Sequence, residues 1–332
     1  MRHRTWFSID VVALTAVALL WIGSLPLAGQ TAPAAAKTPA VASSALKTPW
    51  GEPDLQGLWS NMLITPLERP RDLGTREFLT DQEVAEREKR AIQQGSDEAR
   101  GADPRADLNG AYNDVFWERG TKDVKTKRTS LIVDPKDGRI PWRADVQKYN
   151  AERAKVRDTM LDAQHPVSSW LDVDTGERCV TDGIPWVPYA YNNNYQIVQS
   201  PGYVSILHEM FREMRVIPIR ARPEGGRIPQ WFGNSFGHWE GNTLVVETDN
   251  FADKSSYWWA NAWRMARPSY HLVERFTRSD AGTLMYEFTV TDPTLFTAPW
   301  TAQTPWMATE GRMFEYACHE GNQAMADMIG NK

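Results

Sequence analysis

Histidine is scarce in this chain, and most of it comes with glutamate. Of six histidines, four stand near a carboxylate in the second half: His208-Glu209, His238-Trp239-Glu240, His271 with Glu274, and His319-Glu320. Imidazole exchanges a proton near neutral pH, and a nearby carboxylate can orient the ring or share that proton. Neighbours on a strand point to opposite faces, so an adjacent His-Glu pair serves one site only across a bulge. A site would therefore combine side chains from different strands. His208 or His319 is then the base, Glu274 the acid or its orienting partner, and Arg275 an anion stabiliser. Hydrolysis or elimination is the chemistry such a set performs without a redox cofactor.

Two other readings use the same residues. His208, His238, His319 and Glu320 have the donor types of a divalent-metal site. Alternatively, the histidines and glutamates form a structural network with Arg215 and Arg275, in a binding or envelope protein that catalyses nothing. The run His208-Glu209-Met210-Phe211-Arg212 lacks the second histidine of a zincin helix. No glycine-rich phosphate loop, nucleophile elbow or paired CxxC occurs, so the expected cofactor is none, or one divalent metal.

Tryptophan is the second signal. There are fifteen, and all but Trp6 and Trp21 lie beyond the leader described below. Trp258, Trp259 and Trp263 share a loop rich in Ser, Ala and Arg, where packing alone gives little reason for them. As a ligand platform they would stack sugars or flat rings, joined by Trp231, Trp239 and Tyr195. As a structural device the same loop would plug one end of a barrel.

The chain opens with Arg2 and Arg4, an apolar run from Val11 to Ile22, and small residues between Ala28 and Ala32. That order is a cleaved secretory signal over 1–29, too short for a comfortable span. An Ala/Pro/Thr/Ser-rich linker follows over 30–48, and 49–332 reads as one β-rich domain. A periplasmic or secreted protein with no membrane span in its mature chain is expected. In an oxidising compartment, Cys179 and Cys318 should form a disulfide. The net charge of -5, without basic clusters, argues against nucleic acid. A small molecule is the expected partner.

The elements that must position these residues are mostly strands. Leu284, Tyr286, Phe288 and Val290 alternate with polar residues, and Tyr270 to Arg278 pairs with them, turning Glu274 inward. Ser200-Pro201-Gly202-Tyr203 and Gly241-Asn242 mark two further hairpins. Both faces of the strand carrying His208 are partly apolar, which predicts cover on both sides. Phe314 to His319 alternates like a last strand. Thr80 and Glu83 cap a surface helix ending near Gln94, and a second helix is expected over Arg143 to Gln164. The fold class is mainly β: an antiparallel barrel or strongly curved sheet with two peripheral helices and long loops.

Two resemblances accompany these residues. Gly57-Leu58-Trp59 is similar to the opening strand of lipocalin-type, calycin-like barrels. From Pro49 almost to the C-terminus the chain resembles a family of exported bacterial proteins. The matching runs are TPWGEPDLQGLWSN, RCVTDG, YNNNYQIVQSPGYVSILHEM, GHWEGNTLVVET, HLVERFTR and FEYACHEGN. That resemblance implies an exported β-rich fold and brings no mechanism with it. It draws attention to His208, Glu209, Trp239, Glu240, Glu274, Arg275, His319 and Glu320.

Overall fold

The computed structural model describes residues 47–94, 120–160, 170, 175–221, 228–253, 262–264, 267–323 and 326. The expected signal, most of the linker, the loop over 96–113, Trp258 and Trp259 lie outside the described residues.

Period-two patterning produces ten strands: β1 (Gly57–Ser60), β2 (Ile132–Asp134), β3 (Asn194–Ser200), β4 (Tyr203–His208), β5 (Glu213–Pro218), β6 (Asn234–Glu240), β7 (Thr243–Asp249), β8 (His271–Asp280), β9 (Thr283–Thr291) and β10 (Trp300–Ala308). Nine lie side by side in the order β5-β4-β3-β1-β10-β9-β8-β7-β6, and β2 adds to β10. Every neighbouring pair is antiparallel. The ends of the path meet where Ile219 and Gly237 form a parallel bridge. An odd number of alternating strands cannot close with antiparallel pairs alone, so the seam is where parallel contact is forced. Closing the sheet also removes its exposed edges. The result is a nearly closed antiparallel barrel with two helices outside it.

Gly237 makes the seam possible. A Cβ there would lie 2.9 Å from Ile219 Cδ1 and 3.1 Å from Ile217 Cγ2. Inside, Leu272, Glu274 and Phe276 of β8 share a face with Leu284, Tyr286, Phe288 and Val290 of β9, none more than 1 % exposed. Trp300, Ala302, Thr304 and Trp306 continue that face on β10. Trp59, Tyr195 and Ile197 carry it across β1 and β3. Each large ring withdraws about 150–250 Å² from water, so aromatic burial dominates the stabilisation.

Helix α1 (Asp81–Gln94) begins with the expected capping box. The Thr80 backbone N–H donates to Glu83 Oε2 at 2.8 Å, and the Glu83 N–H donates to Thr80 Oγ1 at 3.2 Å. Ile92 is exposed, as expected for a surface helix. Helix α2 spans Ala144–Met160.

Two details of the sequence reading change. The outer face around β4 is not covered: Val198, Tyr203, Met214 and Val216 are all exposed there. The alternation from Phe314 to His319 forms no strand. The strand at that edge is instead β10, which pairs with both β9 and β1 and leaves the C-terminal segment no edge to join. Pro305 sits inside β10. It lies between the stretches of β10 that pair with β2 and with β1, where a missing N–H costs no ladder bond on that side.

Candidate functional site

The segment preceding β3 sends Trp186 into the barrel interior. Its ring lies 5.3 Å from that of Tyr195, 5.5 Å from His208 and 6.1 Å from Trp306. The Arg215 guanidinium sits 5.0 Å over the same indole. Two polar groupings meet on this side chain.

The first joins β5 to β8. Glu274 accepts Arg215 Nη1 on Oε1 at 3.0 Å and Nη2 on Oε2 at 2.6 Å, and Tyr286 donates its hydroxyl to Oε1 at 2.7 Å. Arg215 Nη2 also reaches Ser235 on β6 and Thr248 on β7 at 2.9 and 3.2 Å. Burial works against the Arg215 charge, but the facing Glu274 carboxylate outweighs it and holds the guanidinium above its usual range. Burial, reinforced by Glu274, pushes the Tyr286 phenol well above its ordinary value.

The second grouping joins β4 to β5. His208 Nδ1 faces Glu213 Oε2 at 3.4 Å, while Glu213 Oε1 accepts the Thr181 hydroxyl at 2.5 Å and the Asp182 backbone N–H at 2.8 Å. With Glu213 so held, a proton on Nδ1 points at the carboxylate and Nε2 is the basic nitrogen. Tyr195 stacks on the imidazole at 4.5 Å and on Trp306 at 4.1 Å, and its hydroxyl accepts Asn61 Nδ2. Burial raises the Tyr195 phenol strongly. Beyond Glu213, Asp182 takes Arg264 Nη1 at 2.7 Å.

Four buried polar atoms around Trp186 have no hydrogen-bond partner: the indole nitrogens of Trp186 and Trp306, Thr304 Oγ1 and Arg215 Nε. Three are donors and the fourth can donate or accept. Leaving such groups unmatched costs about 1–3 kcal/mol each.

Of the residues singled out by sequence, the interior gathers His208, Glu274 and Tyr195. Arg275 faces outward on β8, bound to Glu240 at 2.7 Å, because its neighbour Glu274 faces in. His319 and Glu320 are exposed in the C-terminal segment. His238 is exposed on the outer face, beside Glu240 at 3.2 Å. The catalytic set His208, Glu274, His319 and Arg275 is therefore not one site, and the metal candidates His208, His238, His319 and Glu320 are not one cluster. Among the described residues, no group of three or more His, Cys, Asp or Glu is arranged to hold a metal ion.

Trp263 is buried against Phe288, 6.3 Å and nearly parallel, and edge-on to Trp300 at 5.4 Å. It fills the barrel rather than offering a platform. Trp231 is half-buried with Arg178 5.7 Å away, and Trp239 packs partly buried against the core. Cys179 and Cys318 are bonded, with Cα atoms 5.6 Å apart. This bond ties the segment leading to Trp186 to the C-terminus, whose Phe314 N–H also donates to buried Glu209 at 2.6 Å. Sequence reasoning missed Glu213, Trp186, Thr181 and Asp182. The only available sign was RCVTDG, a polar run lying within the resemblance.

Fold and site together define a nearly closed antiparallel barrel whose largely aromatic core encloses a buried polar network. No family model, curated protein or solved structure matches the chain.

Proposed function

We propose that this is an exported barrel that binds a small polar organic ligand in its interior and acts on it by acid–base chemistry, of hydrolase or lyase type. The cluster of unpartnered buried donors around Trp186 carries the reading. A polar ligand carrying an acceptor oxygen matches three donors and a hydroxyl. His208 is the acid–base group, its Nδ1 oriented by Glu213. Glu274, which the sequence suggested as the acid, is occupied by Arg215 and Tyr286, so its part is to fix the interior. Export, and membership of the family resembled, rest on the leader and the shared runs; the disulfide fits an oxidising compartment. A lipocalin-type mode of binding rests on the barrel and on Gly57-Leu58-Trp59 in β1.

A second reading has its own observation. Every member of the network is at most 6 % exposed in its side chain at His208–Glu213 and at most 2 % at Arg215–Glu274. Such sealing suits a binding or envelope protein whose network is structural. No helix among the described residues is long and apolar enough to cross a membrane.

The test is a thermal-shift screen of sugars and aromatic acids, followed by turnover of nitrophenyl glycosides and esters by wild type, His208→Gln and Glu213→Gln. Turnover lost in His208→Gln, with melting kept, supports catalysis. A bound ligand without turnover moves the assignment to a carrier, and no binding at all leaves the network structural.

A further inference from the structure

Outside the barrel, a groove of about 690 Å³ runs between α1, the stretch from Lys122 to Ser130, and the outer face of β9 and β10. Beside the groove that outer face carries polar side chains: Arg275 and Thr277 on β8, Glu287 and Thr289 on β9, and Thr301 on β10. Under the groove it turns apolar, with Met285 beside Pro305 and Met307 beside Thr283. Nothing in barrel formation asks for methionine at outward positions. The helix above does not fill the space, since Val84 is the only apolar side chain α1 sends into the lining.

Ion pairs hold the helix instead. Arg87 meets Asp123 at 3.2 Å, Glu88 meets Lys122 at 2.7 Å, and Asp81 meets Lys127 at 2.6 Å. These contacts lie on the charged flank of the helix, and Met285 and Met307 beneath it stay half-exposed. Among the described residues, Lys125 and Arg128 are on the groove lining without a carboxylate partner, against Asp280 as the one acidic lining residue outside an ion pair. The local balance favours an anion.

We infer that this groove binds a carboxylate-bearing amphiphile, its apolar chain on Met285, Met307, Pro305 and Val84 and its carboxylate at Lys125 and Arg128. The volume falls within the usual range for small-ligand sites, about 300–1,000 Å³. Methionine suits a flexible aliphatic chain because its unbranched thioether adapts to the guest. The site is separate from the barrel interior and does not depend on the chemistry proposed there.

Calorimetric titration of the full chain with decanoate, decanol and decylamine tests it. Saturable decanoate binding, roughly tenfold or more tighter than decylamine, is the expected result. Met285→Glu and Val84→Trp should each abolish it without changing the melting temperature, and Lys125→Glu with Arg128→Glu should invert the preference toward decylamine. Absence of saturable heat with decanoate overturns the proposal, as does binding that persists in both groove variants. Sedimentation showing a dimer that these variants dissociate would also overturn it, because the groove would then hold a second copy of the chain.

Discussion

Arg215 on β5 and Glu274 on β8 pair through both terminal guanidinium nitrogens across two intervening strands, at 3.0 and 2.6 Å. Ser235 and Thr248 hold Arg215 Nη2 along the way, so the ion pair stitches the barrel over its weakest line, the β5–β6 seam. Both carboxylate oxygens are used, yet Arg215 Nε is not.

Removing one partner should cost far more than removing both. Glu274→Leu strands a buried guanidinium and should destabilise by about 3–5 kcal/mol, whereas adding Arg215→Met should recover most of that. Urea unfolding of the two singles and the double closes the cycle. A single-variant loss below about 1 kcal/mol would mean that water reaches the pair.

Alkali should unfold the protein through two phenols. Tyr286 and Tyr195 are both raised by burial, so the folded state keeps them protonated. Their contribution is fully present below the unfolded value of about 10 and is lost as pH rises above it. Ultraviolet titration should show both ionising only together with unfolding, and Tyr286→Phe should remove one of the late ionisations. Reversible ionisation of every tyrosine in the folded protein would contradict the sealed interior.

The disulfide closes a loop with a sequence separation of 139 residues. On the chain-entropy account, Cys179→Ser with Cys318→Ser should lose up to ~5 kcal/mol. The C-terminal segment should become the first protease-sensitive region, since Glu209, Arg212 and the disulfide anchor it and no strand does. Limited proteolysis with and without reductant reads this directly; identical cleavage patterns would rule it out.

At the seam, Gly237→Ala should cost about 1–3 kcal/mol, because the new methyl must displace Ile219 and Ile217. Gly282→Ala, where the nearest contact is an ordinary 3.7 Å, serves as the control. Equal thermal melts for the two variants would show that the seam relaxes freely.

The hairpins, the capped helix and the inward turn of Glu274 were legible because each rests on local rules: turn chemistry, capping and the period of a strand. Parity alone placed Glu274 inside and, read strictly, Arg275 outside. The two cysteines were legible as a pair because few bonding choices exist for two.

The partners of His208 and Glu274 were not legible. Glu213 lies five residues from His208, yet a tight turn at Phe211 and Arg212, both at positive φ, brings them face to face. Arg215 reaches Glu274 only because the sheet curls shut and sets β5 near β8. Trp186 belongs to no strand and has no period to betray it. The amino-acid sequence by itself determined the hairpins and, in β8 and β9, which residues turn to the core, while the alternation at Phe314 to His319 found no neighbouring edge and stayed outside the sheet. Closure of the barrel decided which of those inward residues meet, because contacts across a closed sheet depend on strand order and seam geometry, and neither is encoded by neighbours along the chain.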